Sequence, residues 1–433
     1  MSAAETSVGM AERCLREARG ESYVFGLDVL GRIGPLVSSV GKRATVVVEA
    51  SQHLEDFLVG LYKSLEAAGV ELAGEPVKGA APNAPREDVY RVRGDIARAG
   101  ADVVVVVGGG STIDAAKAAN FLSVTEDYSS DIESYFGTGL VTKALAATGR
   151  SPRPLVAVQV SASSGAHLTK YSNITDLATS QKKLIVDESI VPTKALFDYS
   201  VTRTMPPSVT VDGILDAMSH CLEVFYGATS PADFARKREL CEGAFDLVMN
   251  QGRRAIEDPS DLEARQANGL ATDLGGLAIM AGGTSGPHLV SFSLIDILAH
   301  GRACGLLNPY FAVFFAPKVQ EQLRVVGAIL SRNGFADYGV VELGGRELGE
   351  QVAAGMLLFL ESLGCTTRLS EVPGFQDSHI ERILAGAKSP ELAMKLENMP
   401  VPLDAGGVDR YLRPIIEAAV TGDLGQIKTW EEE

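Results

Sequence analysis

The sequence is short of basic residues, of paired cysteine and of histidine, and each shortage narrows what the chain can do. Its 39 Lys and Arg face 55 Asp and Glu, a formal net charge of −16. That balance disfavours nucleic acid or an anionic membrane surface as partner, because either is held by a basic face. An anionic ligand must then be held by a local device. The five cysteines, Cys14, Cys221, Cys241, Cys304 and Cys365, are odd in number and scattered, with no Cys-x-x-Cys pair. This argues against a disulfide framework or a thiolate zinc site and for a reducing compartment. No run approaches the ~20 apolar residues of a membrane span; apolar patches such as 103–107 and 356–360 are far too short. The opening MSAAETSVGMAERCLREARG is charged throughout and has no signal-peptide core. A soluble cytoplasmic protein is the expectation. With only six histidines in the chain, any grouping of them is informative.

The 433 residues, 46 % apolar and 22 % charged, have ordinary globular composition and length for two or three domains. Up to about residue 200, strand-like and helix-like runs alternate. ATVVVEA (44–50), ADVVVVV (101–107) and PLVAVQVS (154–161) read as strands, and 53–69, 87–100 and the stretch after Gly110 carry helical spacing. Strands this uniformly apolar are covered on both faces, which predicts a parallel sheet with helices on either side. Beyond Pro206-Pro207 the pattern is helical almost throughout. An α/β domain over 1–203 and an all-α domain over 204–433 are expected.

Gly108-Gly109-Gly110-Ser111-Thr112 follows the strand 103–107. Three glycines permit a sharp turn and close approach of a ligand. Ser111 can cap the next helix, whose free N–H groups attract an anion. The same glycines would also serve a tight connection alone; their place at the carboxyl end of a parallel strand favours a phosphate site. Ser161-Ala162-Ser163-Ser164-Gly165 follows the strand 154–161, with Thr169 and Lys182 downstream, and Glu49 ends the strand 46–48. A carboxylate at that position accepts hydrogen bonds from an adenosine ribose and repels a 2′-phosphate. Asp216 and His220 lie four apart on a helical run and share a face, with Asp212 on the same stripe. His288 and His300 follow in apolar company. Asp plus three His is a mixed O/N donor set suited to Fe²⁺ or Zn²⁺.

Together these residues resemble the iron-containing, or group III, alcohol dehydrogenases. The family's strand and GGGS are matched by GGGSTIDAAK (108–117), its Pro-Asn-Pro turn by Pro82-Asn83-Ala84-Pro85, its helical metal pair by Asp216 and His220, and its later ligands by His288 and His300-Gly301. The resemblance implies a Rossmann-like nucleotide-binding domain, a helical metal- and substrate-binding domain, and a homodimer. Carried over residue by residue, Glu49, Asn83, Gly109, Gly110, Ser111, Val160, Ser161, Thr169 and Lys182 would contact NAD(H). Asp216, His220, His288 and His300 would bind the metal, Fe²⁺ before Zn²⁺. The implied reaction is hydride transfer between NAD(H) and a small alcohol, aldehyde or ketone, with the metal as Lewis acid. Where many members carry a further histidine for proton transfer this chain has Phe292, so the proton route is expected through the cofactor ribose, water or Asp296, which stands four residues before His300 and could instead be the carboxylate that orients it. Two rival readings share the architecture. One is a sugar-phosphate cyclase of the dehydroquinate-synthase kind, which needs a basic phosphate pocket; the other is an NAD- and metal-binding homologue with altered catalysis.

Overall fold

A computed structural model describes residues 6–401 and 403–430. Ten strands are present among them: β1 (Tyr23–Gly26), β2 (Arg43–Val48), β3 (Glu71–Leu72), β4 (Val77–Lys78), β5 (Val103–Gly108), β6 (Gly137–Thr138), β7 (Leu155–Gln159), β8 (Tyr171–Asp176), β9 (Gln181–Val186) and β10 (Lys194–Asp198). Seven form an all-parallel sheet in the order β1-β10-β7-β5-β2-β3, with β4 also paired to β2. β6, β9 and β8 form a small second sheet built on the antiparallel β8–β9 hairpin.

The valine run of β5 explains the sheet's central place. All five valines are fully buried, and successive side chains enter opposite cores. Val103, Val105 and Val107 join the core shared with the helical half, and Val104 and Val106 join the core under the helices Arg86–Ala99 and Gly110–Leu122. A strand with one polar face could not do this. The sequence pattern identified β2, β5 and β7; β1, only four residues long, and β10 and the hairpin, with polar residues in their runs, escaped it.

The topology also says where a ligand belongs. From β2 the chain proceeds outward to β3, whereas from β5 it crosses the other way to β7. The connections therefore diverge between two neighbouring strands, and open α/β sheets bind ligands outside the carboxyl ends of such a pair. Here those ends carry Glu49 and the 108–110 glycines.

Pro207, preorganised for a first helical turn, opens Pro207–Tyr226, the first of the long helices. It packs with Pro231–Glu257, Leu262–Ala281 and His300–Phe315. Among the described residues no helix is long and apolar enough to cross a membrane. The two halves are joined by a sealed polar knot. Asp273, on Leu262–Ala281, accepts hydrogen bonds from Tyr23 Oη (2.6 Å) and Tyr199 Oη (2.7 Å), and its other oxygen lies 3.0 Å from His167 Nε2. All four residues are buried. Burial pushes both phenols well up and the imidazole down, which keeps the three partners of Asp273 uncharged.

Replacing one carboxylate oxygen by an amide N–H₂ removes the charge and one of the two acceptors that serve buried groups on three separate segments. Asp273→Asn is expected to cost about 2–4 kcal/mol, read as a lowered midpoint in thermal or urea unfolding. An unchanged midpoint would show that the knot does not hold the halves together.

Candidate functional site

The carboxyl edge of the sheet is assembled by close approach of two loops. A Cβ on Gly110 would lie 2.4 Å from Ser164 Oγ and 3.1 Å from its Cβ, so glycine lets the loop after β5 meet the serine loop after β7 without displacing that side chain. Gly109 N–H donates to Glu49 Oε2 at 2.7 Å, joining the ends of β5 and β2. Ser111 is not the cap that the sequence suggested. Gly109 occupies the N-cap position of Gly110–Leu122, and Ser111 Oγ accepts instead from Asn83 N–H at 3.0 Å. The first-turn N–H groups of that helix have no intrahelical partner and remain an anion site. Asn83 holds a left-handed backbone, φ 67°, pinned by Thr175 Oγ1 donating to its carbonyl at 2.6 Å. Lys117 Nζ donates to the carbonyls of Thr169 and Tyr171, at 2.8 and 2.9 Å, fixing the wall on which Thr169 sits; burial drops this ammonium to about 8.

On the helical side, Asp216 and His220 stand one turn apart on Pro207–Tyr226, His288 lies on the short helix Gly286–Ser291, and His300 opens His300–Phe315. Gly301 makes the last approach possible, because a Cβ there would sit 2.0 Å from the Asp212 carbonyl oxygen. The result is a convergence on one atom. Asp216 Oδ1 lies 3.7 Å from His220 Nε2, 3.6 Å from His288 Nε2 and 3.7 Å from His300 Nε2. Asp216 Oδ1 and His288 Nε2 are buried and have no hydrogen-bond partner. A tetrahedral ion with bonds of about 2.1 Å spaces its ligand atoms about 3.4 Å apart. The three imidazole nitrogens stand within a few tenths of an ångström of that spacing from Asp216 Oδ1, while the ligand atoms that all lie within 4.8 Å of one another are those of Asp216, His288, His300 and Cys304, without His220.

The tautomers are set for ligation. Glu223 Oε1 lies 2.6 Å from His288 Nδ1, and its Oε2 accepts from Ser285 N–H and Oγ at 2.8 and 3.2 Å. Ser291 Oγ donates to the His288 carbonyl at 2.7 Å and so accepts from His300 Nδ1 at 3.0 Å. His300 is left with its Nε2 lone pair facing Asp216, whereas at His288 burial is outweighed by Cys304, Glu223 and Asp216, which hold that imidazole well above its ordinary range in the absence of a metal. Burial lowers His220 to about 4 and His300 well below its ordinary range, keeping both rings neutral. Burial alone would raise the Asp216 carboxyl, but the surrounding imidazoles, His220 foremost, hold it well below the usual range.

One cleft of about 400 Å³ joins the two sides. It is lined by Asn83, Gly110, Ser111, Thr169 and Lys182 from the first half and by Asp216, His220 and His300 from the second. Glu49 and Gly109 lock together at the sheet edge, and Val160 and Ser161 stand one step behind the lining, Ser161 Oγ bonded to Ser163 Oγ at 2.9 Å. His288 completes the metal cluster from the interior side. Asp212 also lines the cleft, but its carboxylate lies 2.9 Å from Arg302 Nε. Asp296 is not brought to the site. It pairs with Arg382 Nη1 at 3.0 Å and lies 3.6 Å from His379 Nε2, off the cleft, and the partner it was expected to give His300 is Ser291.

Three participants went unread in the sequence. Cys304 groups with Asp216, His288 and His300, their ligand atoms all within 4.8 Å of one another. It stands four residues after His300, the same helical signal that linked Asp216 to His220. Glu223 continues the stripe 216–220–223, and Ser291 follows His288 by one turn.

The models of two families match consecutive parts of the chain: "Iron-containing alcohol dehydrogenase" over residues 20–199 and "Fe-containing alcohol dehydrogenase family, C-terminal" over residues 210–401. The chain belongs to the iron-containing alcohol dehydrogenase family. It is 27 % identical over 316 residues to the NAD-dependent methanol dehydrogenase of Bacillus methanolicus, covering 72 % of this chain and 78 % of that one. It is 28 % identical over 309 residues to the probable alcohol dehydrogenase EutG of Salmonella typhimurium, covering 71 % and 74 %. In fold it matches the archaeal halo-thermophilic Red Sea brine pool alcohol dehydrogenase ADH/D1 with a TM-score of 0.79 at 23 % identity, over 92 % of this chain and 97 % of that one.

In this family member the Glu223 carboxylate is expected to strengthen the metal site through His288. Glu223→Gln should weaken metal affinity by about 10–100-fold, measured by competition with a chelator, and His288→Ala should lose the metal outright. Equal affinity in Glu223→Gln and wild type would remove Glu223 from the site.

Proposed function

We propose that this chain is a metal-dependent alcohol dehydrogenase that passes hydride between NAD(H) and a small alcohol, aldehyde or ketone. The observation that carries the reading is the meeting of three imidazole nitrogens on the unpartnered Asp216 Oδ1 in a cleft that also reaches the Gly110–Ser111 helix start. Asp216, His220, His288 and His300 are assigned as metal ligands, for Fe²⁺ in first place and Zn²⁺ in second. When bound, the metal supplies Lewis acidity toward the substrate oxygen and the nicotinamide supplies the hydride chemistry.

The chain's own residues bind and orient. The N–H groups at Gly110 and Ser111 receive the diphosphate, and Lys182, buried and in the cleft, adds positive charge there. Asn83, Thr169 and the loop of Val160 and Ser161 shape the remaining cofactor wall. Glu49, fixed by Gly109 N–H, meets the adenosine ribose and disfavours a 2′-phosphate, so NAD is the preferred dinucleotide. Residues 1–203 hold the dinucleotide and 204–433 hold metal and substrate. A homodimer in the cytoplasm is part of the same reading.

The cyclase alternative loses support from the side-chain pairing. Its phosphate would need free basic residues in the cleft, but Arg236, Arg238 and Arg254 pair with Glu239, Glu242 and Asp261 at 2.8, 3.1 and 2.7 Å, outside the cleft lining.

Metal-loaded protein is expected to reduce NAD⁺ with short primary alcohols and to favour NAD⁺ over NADP⁺. His300→Ala should lower kcat/KM by about 10²–10⁴-fold, the several kcal/mol of a lost Lewis acid. Wild-type turnover by a metal-depleted His300→Ala protein would contradict the assignment.

A further inference from the structure

Cys304 belongs to the convergent cluster and has no part in the proposed function. It stands on His300–Phe315 one turn after His300 and is fully buried. Residues four apart share a helix face, so its side chain projects to the side on which His300 meets Asp216. The ligand atoms of Asp216, His288, His300 and Cys304 all lie within 4.8 Å of one another. Around a five- or six-coordinate ion, with bonds of about 2.1 Å to nitrogen or oxygen and about 2.3 Å to sulfur, opposite donors stand about 4.2–4.4 Å apart. Atoms gathered this closely span a single coordination sphere after small shifts. Among the described residues no other cysteine joins such a group.

The turn that carries the thiol is fixed against the helix of Asp216 and His220. Gly301 and Gly305 flank it and let His300–Phe315 lie on Pro207–Tyr226. An added Cβ would sit 2.9 Å from the Asp216 Cβ at Gly301 and 3.0 Å from the Leu215 Cβ at Gly305. Asn308 Nδ2 donates to the Cys304 carbonyl at 3.0 Å and to Ser219 Oγ at 2.9 Å, tying the same turn across to that helix. A buried cysteine commonly packs as a small apolar side chain. Here it shares its surroundings with Asp216 Oδ1 and His288 Nε2, buried polar atoms that have no hydrogen-bond partner and call for a ligand. His288 and Cys304 approach from the interior side of the cleft, whose lining carries Asp216, His220 and His300.

We propose that Cys304 ligates the metal as a thiolate, a fifth donor beside Asp216, His220, His288 and His300, its proton passing to solvent as the metal binds. The inference rests on the metal-ligand assignment made under the proposed function and deepens it. Five protein donors still leave a six-coordinate ion one position toward the cleft. The thiolate is the softest of the five, so it strengthens binding of Zn²⁺ more than of Fe²⁺.

The test takes the full chain, stripped of metal by a chelator, and titrates it with Co²⁺, which gains an intense near-ultraviolet charge-transfer absorption when bound by a thiolate. Wild type and Cys241→Ala, which lacks a buried cysteine elsewhere, are expected to develop the band; Cys304→Ser and Cys304→Ala are not. X-ray absorption at the zinc edge of Zn²⁺-loaded wild type should require one sulfur at about 2.3 Å, and this measurement needs no variant to fold. Competition with a chelator should show Zn²⁺ affinity falling by more than about 100-fold in Cys304→Ser, beyond the loss of a partner that only supports a ligand, with Fe²⁺ affinity falling less. A sphere of nitrogen and oxygen alone in wild type, or an undiminished band in Cys304→Ala, overturns the proposal. Sulfur-free metal in a protein that oxidises alcohols with NAD⁺ upholds the dehydrogenase reading and overturns this one; sulfur-bound metal without any turnover does the reverse.

Discussion

The structure turns on a single buried oxygen. Asp216 Oδ1 sits among three imidazole nitrogens with no donor to satisfy it, and His288 Nε2 beside it is equally unpartnered. Orphaned polar atoms of this kind cost on the order of 1–3 kcal/mol each, and where two of them converge with further donor atoms they point to a ligand that completes them. The surrounding choices follow from that constraint. Gly301 brings His300–Phe315 against the Asp212 carbonyl, Glu223 and Ser291 fix two ring tautomers, and burial keeps His220 and His300 neutral.

The same constraint requires the other half of the molecule to meet it. Divergent connections at β2 and β5 leave a crevice at the sheet's carboxyl edge, and the glycine and serine loops lie close enough there that a single added methyl would collide. The buried knot of Asp273, Tyr23, Tyr199 and His167 holds that edge against the helical half. The chain's net charge of −16 is no obstacle to the proposed dinucleotide, because on that reading backbone N–H groups and Lys182, not a basic surface, would meet the phosphates.

Most of the architecture could be read directly from the residues. Five consecutive valines can only be a strand covered on both faces, and the change of pattern at Pro206-Pro207 marks where sheet gives way to helices. The O/N donor set was visible because Asp216 and His220 share a helix face and histidines are scarce. What stayed hidden depends on contacts between distant segments. Spacing alone put Asp296 near His300, but Arg382, 86 residues away in the chain, draws it off. Ser111 had the chemistry of a cap, and the Asn83 turn claims it instead. Cys304 and Glu223 carried a helical signal that went unused because a single cysteine and a single glutamate are commonplace.

The most direct test is an anomalous-difference map from crystals of the metal-loaded protein, collected on either side of the metal's absorption edge. The account requires one peak within bonding distance of Asp216 Oδ1 and the Nε2 atoms of His220, His288 and His300, open toward the cleft. A peak bonded elsewhere, or none at full metal loading, would contradict it.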